Sequence, residues 1–327
     1  MTAALTVADL DVRYGPVHAV RSVSFELAAG SVLGLVGESG SGKSTTARAV
    51  VGLAPSTGTI RIGDQDASSA GGRAARQARR RVQMIFQDSR SSLDPRFTVG
   101  QCVAEGLAAG DRARTGDRVR ELLELVSLDP ALVRSRPGQL SGGQRQRVAI
   151  ARALAARPDV LIADEVTASL DVSVQAVVLN LLRRLQADLG LSMLFISHNL
   201  AVVRYMCDDM AVMFNGRVVE QGPVGDVIAR TEHPYTRSLL AAVPEVGQHR
   251  LLSDAAIEAS AASSPAPGPG CDYRLRCPVG PAVDPEREIC VTTDPGPGSA
   301  DRVHGAVCHF AAARLSPLPD PVPAARR

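Results

Sequence analysis

The chain has 327 residues, a length that suits one large domain with an appendage, or two domains. Its hydrophobic content of 45% and charged content of 21% are typical of globular proteins, and no run approaches the roughly 18 apolar residues of a membrane span. The net charge of +2 gives no electrostatic reason to expect a nucleic-acid partner.

The N-terminal residues do not look like a targeting segment. Met1-Thr2-Ala3-Ala4-Leu5 lacks the basic and apolar regions of a signal peptide. We therefore expect a cytosolic chain. If it works at a membrane, another polypeptide must supply the membrane spans.

The first fifty residues predict strands followed by a helix. Segments 5–13 and 22–27 alternate apolar and polar residues, which indicates antiparallel strands. The continuous apolar run from Ser31 to Val36 indicates a buried parallel strand. The stretch from Ser44 to Leu53 then has the pattern of the following helix.

The centre of the chain alternates strands with helices. Two further apolar runs, 159–164 and 192–197, predict buried strands, and 145–156 and 173–189 predict helices. This alternation is typical of an α/β fold with a largely parallel sheet.

Three other regions depart from that alternation. The segment at about 88–140 begins with a sequence typical of loops and then has a helical pattern around 117–126, which predicts an α-helical insertion. The α/β pattern breaks after about residue 230, and the Ala, Ser, Pro and Gly of 253–270 indicate a flexible linker. The segment from Ser316 to Arg327 contains four prolines and is expected to be disordered.

Lys43 is the only lysine of the chain, and it lies in a phosphate-binding loop motif. The loop reads Gly37-Glu38-Ser39-Gly40-Ser41-Gly42-Lys43-Ser44, a full match to G-x-x-x-x-G-K-[ST]. Glycines let backbone N–H groups turn inward, and the positive end of the next helix favours an anion. A lysine is a compact charge on a thin stem, which suits contact with phosphates. The alternative is a chance match.

Two adjacent acids end the strand predicted at 159–164. Asp164 is placed to hold Mg²⁺, and Ser44 is expected to direct its hydroxyl to the same ion. Glu165 is a candidate general base for an attacking water. The alternative is that both acids only cap the strand.

A second helix start also favours anions. In Leu140-Ser141-Gly142-Gly143-Gln144, Ser141 is a good N-cap for the predicted helix at 145–156. Capping does not explain two glycines, which weaken a first helical turn. They are expected where the backbone must approach another group closely.

Together these motifs resemble those of ATP-binding cassette (ABC) proteins, over roughly residues 5–228. The resemblance implies an α/β P-loop NTPase core with an antiparallel β subdomain and the α-helical insertion. It places an ABC nucleotide-binding domain at 1–230, a small irregular extension containing cysteines at 231–315, and a disordered tail at 316–327.

The same resemblance implies roles for single residues. Tyr14 would stack on adenine, Gln87 would sense Mg²⁺ and couple to a membrane subunit, and Asp171 would belong to the D-loop. His198 would be the switch histidine and Glu165 the catalytic glutamate. ATP and Mg²⁺ are the implied ligands, with Thr45 extending the phosphate loop. The alternatives are that Tyr14 is an ordinary strand aromatic and that His198 is a satisfied surface histidine.

The resemblance also implies a head-to-tail dimer. Ser141, Gly142, Gly143 and Gln144 of one subunit would complete the phosphate site of the other, and ATP binding would close the dimer. This gives the second, lysine-free anion site a function.

Segments 233–244 and 172–176 narrow the resemblance to the ATPases of oligopeptide and dipeptide importers. Within that family, residues 91–96 and the region around His198 are more similar to the second ATPase of a pair. The implied assembly is a heterodimer beneath two membrane permeases, fed by an extracytoplasmic solute-binding protein, at the cytoplasmic face of the cell membrane. The alternatives are an importer for nickel or another small solute, a non-transport ABC ATPase, and a regulatory subunit with a dead site.

Four cysteines crowd into the extension, namely Cys271, Cys277, Cys290 and Cys308. In a cytosolic protein such a group favours a metal or cluster site over disulfides. The pattern resembles the tail of peptide-importer ATPases that bind a [4Fe–4S] cluster, and four thiolates also suit Zn²⁺. The third alternative is no metal.

Overall fold

The computed structural model describes residues 2–68, 72–87, 92–107, 109–168, 170–242, 268–296 and 304–311. Most of the predicted linker at 253–270 and all of the predicted tail at 316–327 lie outside these residues, as do Ser91 and Ser169. The chain divides into two compact units, residues 1–217 and 218–327.

An antiparallel sheet opens the first unit. Its strand order is β2-β1-β4-β5, with these bounds: β1 Ala3–Tyr14, β2 Val17–Ala28, β4 Thr57–Ile62 and β5 Gln65–Asp66. Val7 pairs with Phe25, and both side chains are buried because alternate residues of each strand face the core. The antiparallel strands expected at 5–13 and 22–27 are confirmed, and each extends further at both ends.

A parallel sheet forms the core of the same unit. Its order in this unit is β9-β3-β8-β7-β6, with these bounds: β3 Val32–Val36, β6 Val82–Ile85, β7 Val160–Asp164, β8 Ser192–Ser197 and β9 Asp209–Phe214. Every residue of β3, β7 and β8 is buried, as their continuous apolar sequences predict. The carboxyl ends of parallel neighbours meet at one edge, so the residues after β3, β7 and β8 converge there.

Helices surround the parallel sheet: α1 Lys43–Val50, α2 Arg73–Arg79, α5 Gly142–Ala155, α6 Val172–Leu189 and α7 Leu200–Met206. The helix expected from Ser44 to Leu53 ends earlier, at Val50, and Gly52 follows with a positive φ of 78° that a helix cannot continue. Helix α6 is followed by the C-cap Gly190, whose left-handed φ of 62° is favourable for glycine.

The expected helical insertion contains α3 Val99–Ala104 and α4 Thr115–Leu125, with 3-10 turns at Ala109–Arg114, Pro130–Arg134 and Pro137–Gln139. Helix α4 matches the helix predicted around 117–126. Helix α3 was not predicted. Thr98 caps it through a reciprocal capping box with Gln101.

The second unit is small and irregular. It contains most of β10 Arg217–Pro223, then α8 Val224–Ala229, α9 Pro234–Ala241, a 3-10 turn Pro285–Arg287, α10 Ile289–Thr292 and β11 Gly305–Ala306, which pairs antiparallel with β10. Buried Tyr235 stacks edge-on against Tyr273, with ring centroids 5.4 Å apart. Among the helices described here, none combines the length and apolarity that crossing a bilayer requires.

Candidate active site

The phosphate-binding loop has a backbone that requires glycine at two positions. Gly37 and Gly42 have φ of 152° and 106°, in the region that side chains avoid. A Cβ on Gly37 would lie 2.2 Å from the Met213 carbonyl oxygen, and one on Gly42 would lie 2.7 Å from that of Ala19. The loop is therefore held tightly against two neighbouring strands.

Lys43 lies at the first position of α1, and its side chain folds back into the loop. Its Nζ donates to the carbonyl oxygens of Gly37 at 2.8 Å and Glu38 at 2.7 Å, and to Ser41 Oγ at 3.3 Å. Burial lowers the pKa of this amine, and the negative charges of Glu165 and Asp164 oppose the shift. The loop thus holds a buried cation at its centre.

Ser44 and Asp164 meet across the sheet edge. Ser44 Oγ donates to Asp164 Oδ1 at 3.0 Å, and Asp164 is 3% exposed. Burial raises the pKa of this carboxyl, while the Ser44 hydrogen bond and the positive charge of Lys43 lower it. A hydroxyl and a carboxylate oxygen are hard ligands of the kind Mg²⁺ prefers, so this pair fits that ion.

Glu165 follows directly, in a left-handed backbone conformation with φ of 45°. Its N–H donates to the Ile196 carbonyl at 3.0 Å, which ties it to β8. One carboxylate oxygen accepts from Gln87 Nε2 at 2.6 Å, and the other lies 3.2 Å from His198 Nδ1. Glu165 therefore contacts both Gln87 and His198, two other residues that the sequence analysis assigned to the site.

The remaining predicted loop residues differ in their exposure. Ser41 is buried, Ser39 and Gly40 are exposed, and Thr45 is half-buried in α1. Tyr14 ends β1 and is 44% exposed. It pairs with Val17 in the hairpin whose Ala19 carbonyl adjoins Gly42, so this hairpin borders the loop.

The Ser141–Gln144 segment begins helix α5 with a full capping box. Gln144 N donates to Ser141 Oγ at 3.2 Å, and Ser141 N donates to Gln144 Oε1 at 2.9 Å. Gly143 packs so closely on α6 that a Cβ would lie 2.6 Å from Val174 Cγ1. Asp171 is exposed at the N-cap of α6. Within the described residues, no hydrogen bond joins this segment to the phosphate-binding loop.

Two family models match the chain. Residues 20–168 match the ABC transporter model, and residues 219–282 match the model of the oligopeptide/dipeptide transporter C-terminal region. A peptide import ATP-binding protein of Brucella ovis is 46% identical over 278 residues, covering 84% of this chain and 86% of the relative. The di/tripeptide transport ATP-binding protein DppF of Pseudomonas aeruginosa is 42% identical over 292 residues, covering 85% of this chain and 90% of the relative.

The chain belongs to the ATP-binding proteins of ABC transporters.

Solved structures agree with this family. The chain is similar to cbiO1 of Clostridium perfringens, with a TM-score of 0.64 and 29% identity, over 76% of this chain and 98% of that one. It is also similar to a dimeric ATP-binding cassette in a post-hydrolysis state with ADP and phosphate bound, with a TM-score of 0.58 and 27% identity, over 67% of this chain and 98% of that one. This ABC protein is an ATPase, and its ligands are ATP and Mg²⁺.

Sequence analysis missed two contributors to the ATPase site. The Met213 carbonyl limits the space at Gly37, and no local pattern marks it, because the contact joins β9 to a loop far away in sequence. Asn199 caps α7, since its Oδ1 accepts from Ala201 N at 3.0 Å and Val202 N at 3.3 Å, which fixes the backbone directly after His198. An Asn before a helix is a recognisable N-cap signal and could have revealed it.

The four cysteines of the extension come together in the second unit. Cys271, Cys277, Cys290 and Cys308 line one small cavity of about 20 Å³. Burial raises the pKa of all four thiols, that of Cys277 to about 11.

No metal-ion geometry is present in this group. Within the described ranges, no group of three or more His, Cys, Asp or Glu side chains is arranged to hold a metal ion. His304 and His309 bond elsewhere, to Glu220 and to the Thr293 carbonyl. The structure therefore brings the four thiols to one cavity without arranging them as ligands of a single metal ion.

Proposed function

We propose that this ABC ATPase is the motor subunit of a peptide importer. The observation that carries the proposal is the joint match of a cassette and of an oligopeptide/dipeptide transporter C-terminal region in one chain. The names of the relatives from Brucella ovis and Pseudomonas aeruginosa support peptides over nickel or other solutes. The presence of Lys43, Glu165 and His198 argues against a regulatory subunit with a dead site.

In this proposal Glu165 is the general base of ATP hydrolysis. Its carboxylate lies between Gln87 and His198, which can hold it toward a water at the sheet edge. Lys43 would leave its loop carbonyls to contact the β- and γ-phosphates, while the N–H groups of Gly37 to Thr45 surround them.

The proposed Mg²⁺ ligands are Ser44, Gln87 and Asp164. Mg²⁺ supplies charge neutralisation for phosphoryl transfer. Ser44 and Asp164 already share a hydrogen bond, so one oxygen from each side of the site is in place. Tyr14 is the proposed stacking partner of adenine, because it is exposed on the hairpin that borders the loop.

We propose that the motor works as a head-to-tail dimer, with a heterodimer as the physiological form. Ser141, Gly142, Gly143 and Gln144 would contact the γ-phosphate held by the other subunit, and Asp171 would line the same interface. Ser141 and Asp171 are both exposed, and the dimeric cassette among the similar structures supports such an assembly.

The proposed partners are a second ABC ATPase, two permeases and, indirectly, an extracytoplasmic solute-binding protein. The chain would then be peripheral, at the cytoplasmic face of the cell membrane. We propose that the chain consists of a nucleotide-binding domain at 1–230 with an insertion at about 88–140, an extension at 231–315 and a tail at 316–327.

We further propose that the four cysteines hold a [4Fe–4S] cluster. The support is the donor set: four thiols line one cavity, and thiolates are the ligands of such clusters. Zn²⁺ is the alternative, and a single tetrahedral ion would require all four sulfurs about 2.3 Å from one point. The visible absorption spectrum and the iron, sulfide and zinc content of anaerobically purified protein distinguish the two. A colourless, metal-free protein would contradict both.

Import is tested with the intact complex. The tagged chain is purified from membranes, its partners are identified, and the complex is reconstituted in proteoliposomes with ATP on the side of the ATPase. We expect ATP-dependent uptake of a labelled dipeptide in the presence of the binding protein. Uptake of Ni²⁺ instead of peptide would favour the alternative importer, and co-purification with ribosomes and no membrane protein would overturn the proposal.

A further inference from the structure

We propose that Glu220 is a positioning residue that fixes the Cys308 segment beside the other three cysteines, acting through His304. The inference concerns the placement of a thiol. The proposed cluster site supplies the purpose of this placement. The placement itself is tested on metal-free protein and does not depend on a bound metal.

Glu220 is a buried carboxylate with three donors. It lies on β10 and is 1% exposed. Its Oε2 accepts the backbone N–H of His233 at 3.1 Å, and its Oε1 accepts that of Glu232 at 2.8 Å. The same Oε1 lies 2.8 Å from His304 Nε2. One side chain therefore joins three separate segments of the second unit.

The segment that carries Cys308 has little other support from the backbone. Strand β11 consists of two residues, paired as Glu220 with Ala306 and Gln221 with Gly305. Val307 N donates to the Val219 carbonyl at 2.7 Å, and the His233 ring hydrogen-bonds the Val307 backbone. A two-residue pairing is marginal by itself. The Glu220–His304 contact anchors the start of this segment four residues before Cys308.

The loop on the other side of the segment is held by the same carboxylate. Glu220 receives the backbone N–H of His233, whose ring is buried and accepts from Tyr235 N at 3.1 Å. That ring packs against Tyr273 at an interplanar angle of 50°, with centroids 5.9 Å apart. His233, Tyr273 and Cys308 all line the cysteine cavity. Glu220 thus orders two walls of the cavity at once.

The charge of Glu220 argues for positioning and against activation of the thiol. A carboxylate disfavours a nearby thiolate, and Glu220 contributes to raising the pKa of Cys308. A residue selected to make Cys308 reactive would carry the opposite charge. The function that remains for Glu220 is geometric.

The replacement Glu220→Gln keeps the shape and removes one acceptor. Whichever way the amide lies, its NH₂ group faces a backbone N–H that the carboxylate had satisfied. The unsatisfied N–H of Glu232 or His233 costs about 1–3 kcal/mol, which is relieved when the contacts of residue 220 open. Local opening of the Cys308 segment should therefore become about 5- to 150-fold more frequent.

The test measures alkylation of each cysteine in the metal-free, reduced full-length protein, read by peptide mass spectrometry over time. For Glu220→Gln we expect Cys308 to react about tenfold faster, with Cys102 and Cys207 of the first unit unchanged. The matched control is Glu286→Gln, which removes an exposed carboxylate in the same unit and should leave every rate unchanged.

A second pair of variants separates positioning from general destabilisation. His304→Ala should accelerate Cys308 in the same way, whereas His304→Gln retains an N–H donor and should restore part of the protection. The proposal is overturned if Cys308 keeps its wild-type rate in both Glu220→Gln and His304→Ala. It is also overturned if the alkylation rates of Cys271, Cys277, Cys290 and Cys308 all rise equally in His304→Ala. The contact between Glu220 and His304 would then support the whole unit and not this segment.

Discussion

Gln87 Nε2 donates to Glu165 Oε2 at 2.6 Å, while His198 lies on the other oxygen of the same carboxylate. The two partners follow different strands, since Gln87 comes after β6 and His198 after β8. Glu165 itself follows β7, which lies between them in the sheet. The order of the strands therefore places the three side chains together.

Glu165→Gln should retain ATP and lose hydrolysis. The amide preserves the size of the side chain and can still hydrogen-bond, but it cannot take a proton from water. We expect turnover to fall by about 10²–10⁴ with ATP affinity nearly unchanged, measured by phosphate release and by equilibrium ATP binding. ATP hydrolysis at the wild-type rate would refute the assignment of the base. Glu26→Gln, an exposed carboxylate on β2, serves as the control.

Lys43→Arg should abolish tight ATP binding although the charge is kept. The ammonium fits between the carbonyls of Gly37 and Glu38 because it is compact, whereas a guanidinium is a wide planar fork. Loss of the charge-assisted contacts should weaken ATP by about 10–100-fold in an equilibrium binding assay. Arg48→Lys, the reciprocal change five residues later at an exposed position of α1, should bind ATP normally.

The phosphate-binding loop could be predicted because its chemistry is local: glycine conformations, a helix start and one lysine lie within eight residues. The parallel strands with long apolar runs were predicted for the same reason. Strands β6 and β9 were not identified, since short buried strands show no periodicity that separates them from helix segments. Contacts such as Met213 with Gly37 depend on the assembled sheet and leave no mark in either local sequence.

Gly142 and Gly143 begin helix α5, and we expect different contacts to exclude a larger side chain at each position. Single substitutions can separate these contacts. A Cβ on Gly143 would lie 2.6 Å from Val174 Cγ1, so part of the requirement comes from packing within the subunit. Gly143→Ala should destabilise the protein by about 1–3 kcal/mol, measured by urea unfolding. The double variant Gly143→Ala with Val174→Ala should recover most of that loss. An undiminished loss in the double variant would show that Val174 is not the obstacle.

Gly142→Ala tests the proposed dimer contact. Its Cβ would meet only Leu170 Cδ2, at an ordinary 3.5 Å, so the subunit itself has room for alanine. We expect unchanged or slightly higher stability, because alanine favours a helix over glycine by about 1 kcal/mol. ATP turnover should nevertheless fall if the backbone approaches the γ-phosphate of a partner. Normal turnover by this stable variant would count against that approach.

The second unit should lose stability in acid because of His233. Burial lowers the pKa of this histidine from 6.5 to about 4, so the folded chain keeps the ring neutral where the unfolded chain protonates it. The unfolded state therefore binds more protons between these two values. The contribution of the neutral His233 ring to the free energy of unfolding is therefore fully present above pH 6.5 and is lost as the pH falls from 6.5 to about 4. Below about pH 4 this group causes no further loss.

The expected loss across that window is about 3 kcal/mol, at roughly 1.36 kcal/mol per pKa unit. Hydrogen exchange of peptides from 268–296, in metal-free reduced protein at several pH values, reads this unit separately from the cassette. His233→Gln removes the titrating ring while keeping a donor and an acceptor, so its exchange should change less with pH. Glutamine at position 233 cannot bind a proton in this pH range. An identical pH dependence in the wild-type and His233→Gln proteins would therefore assign the acid sensitivity to another group.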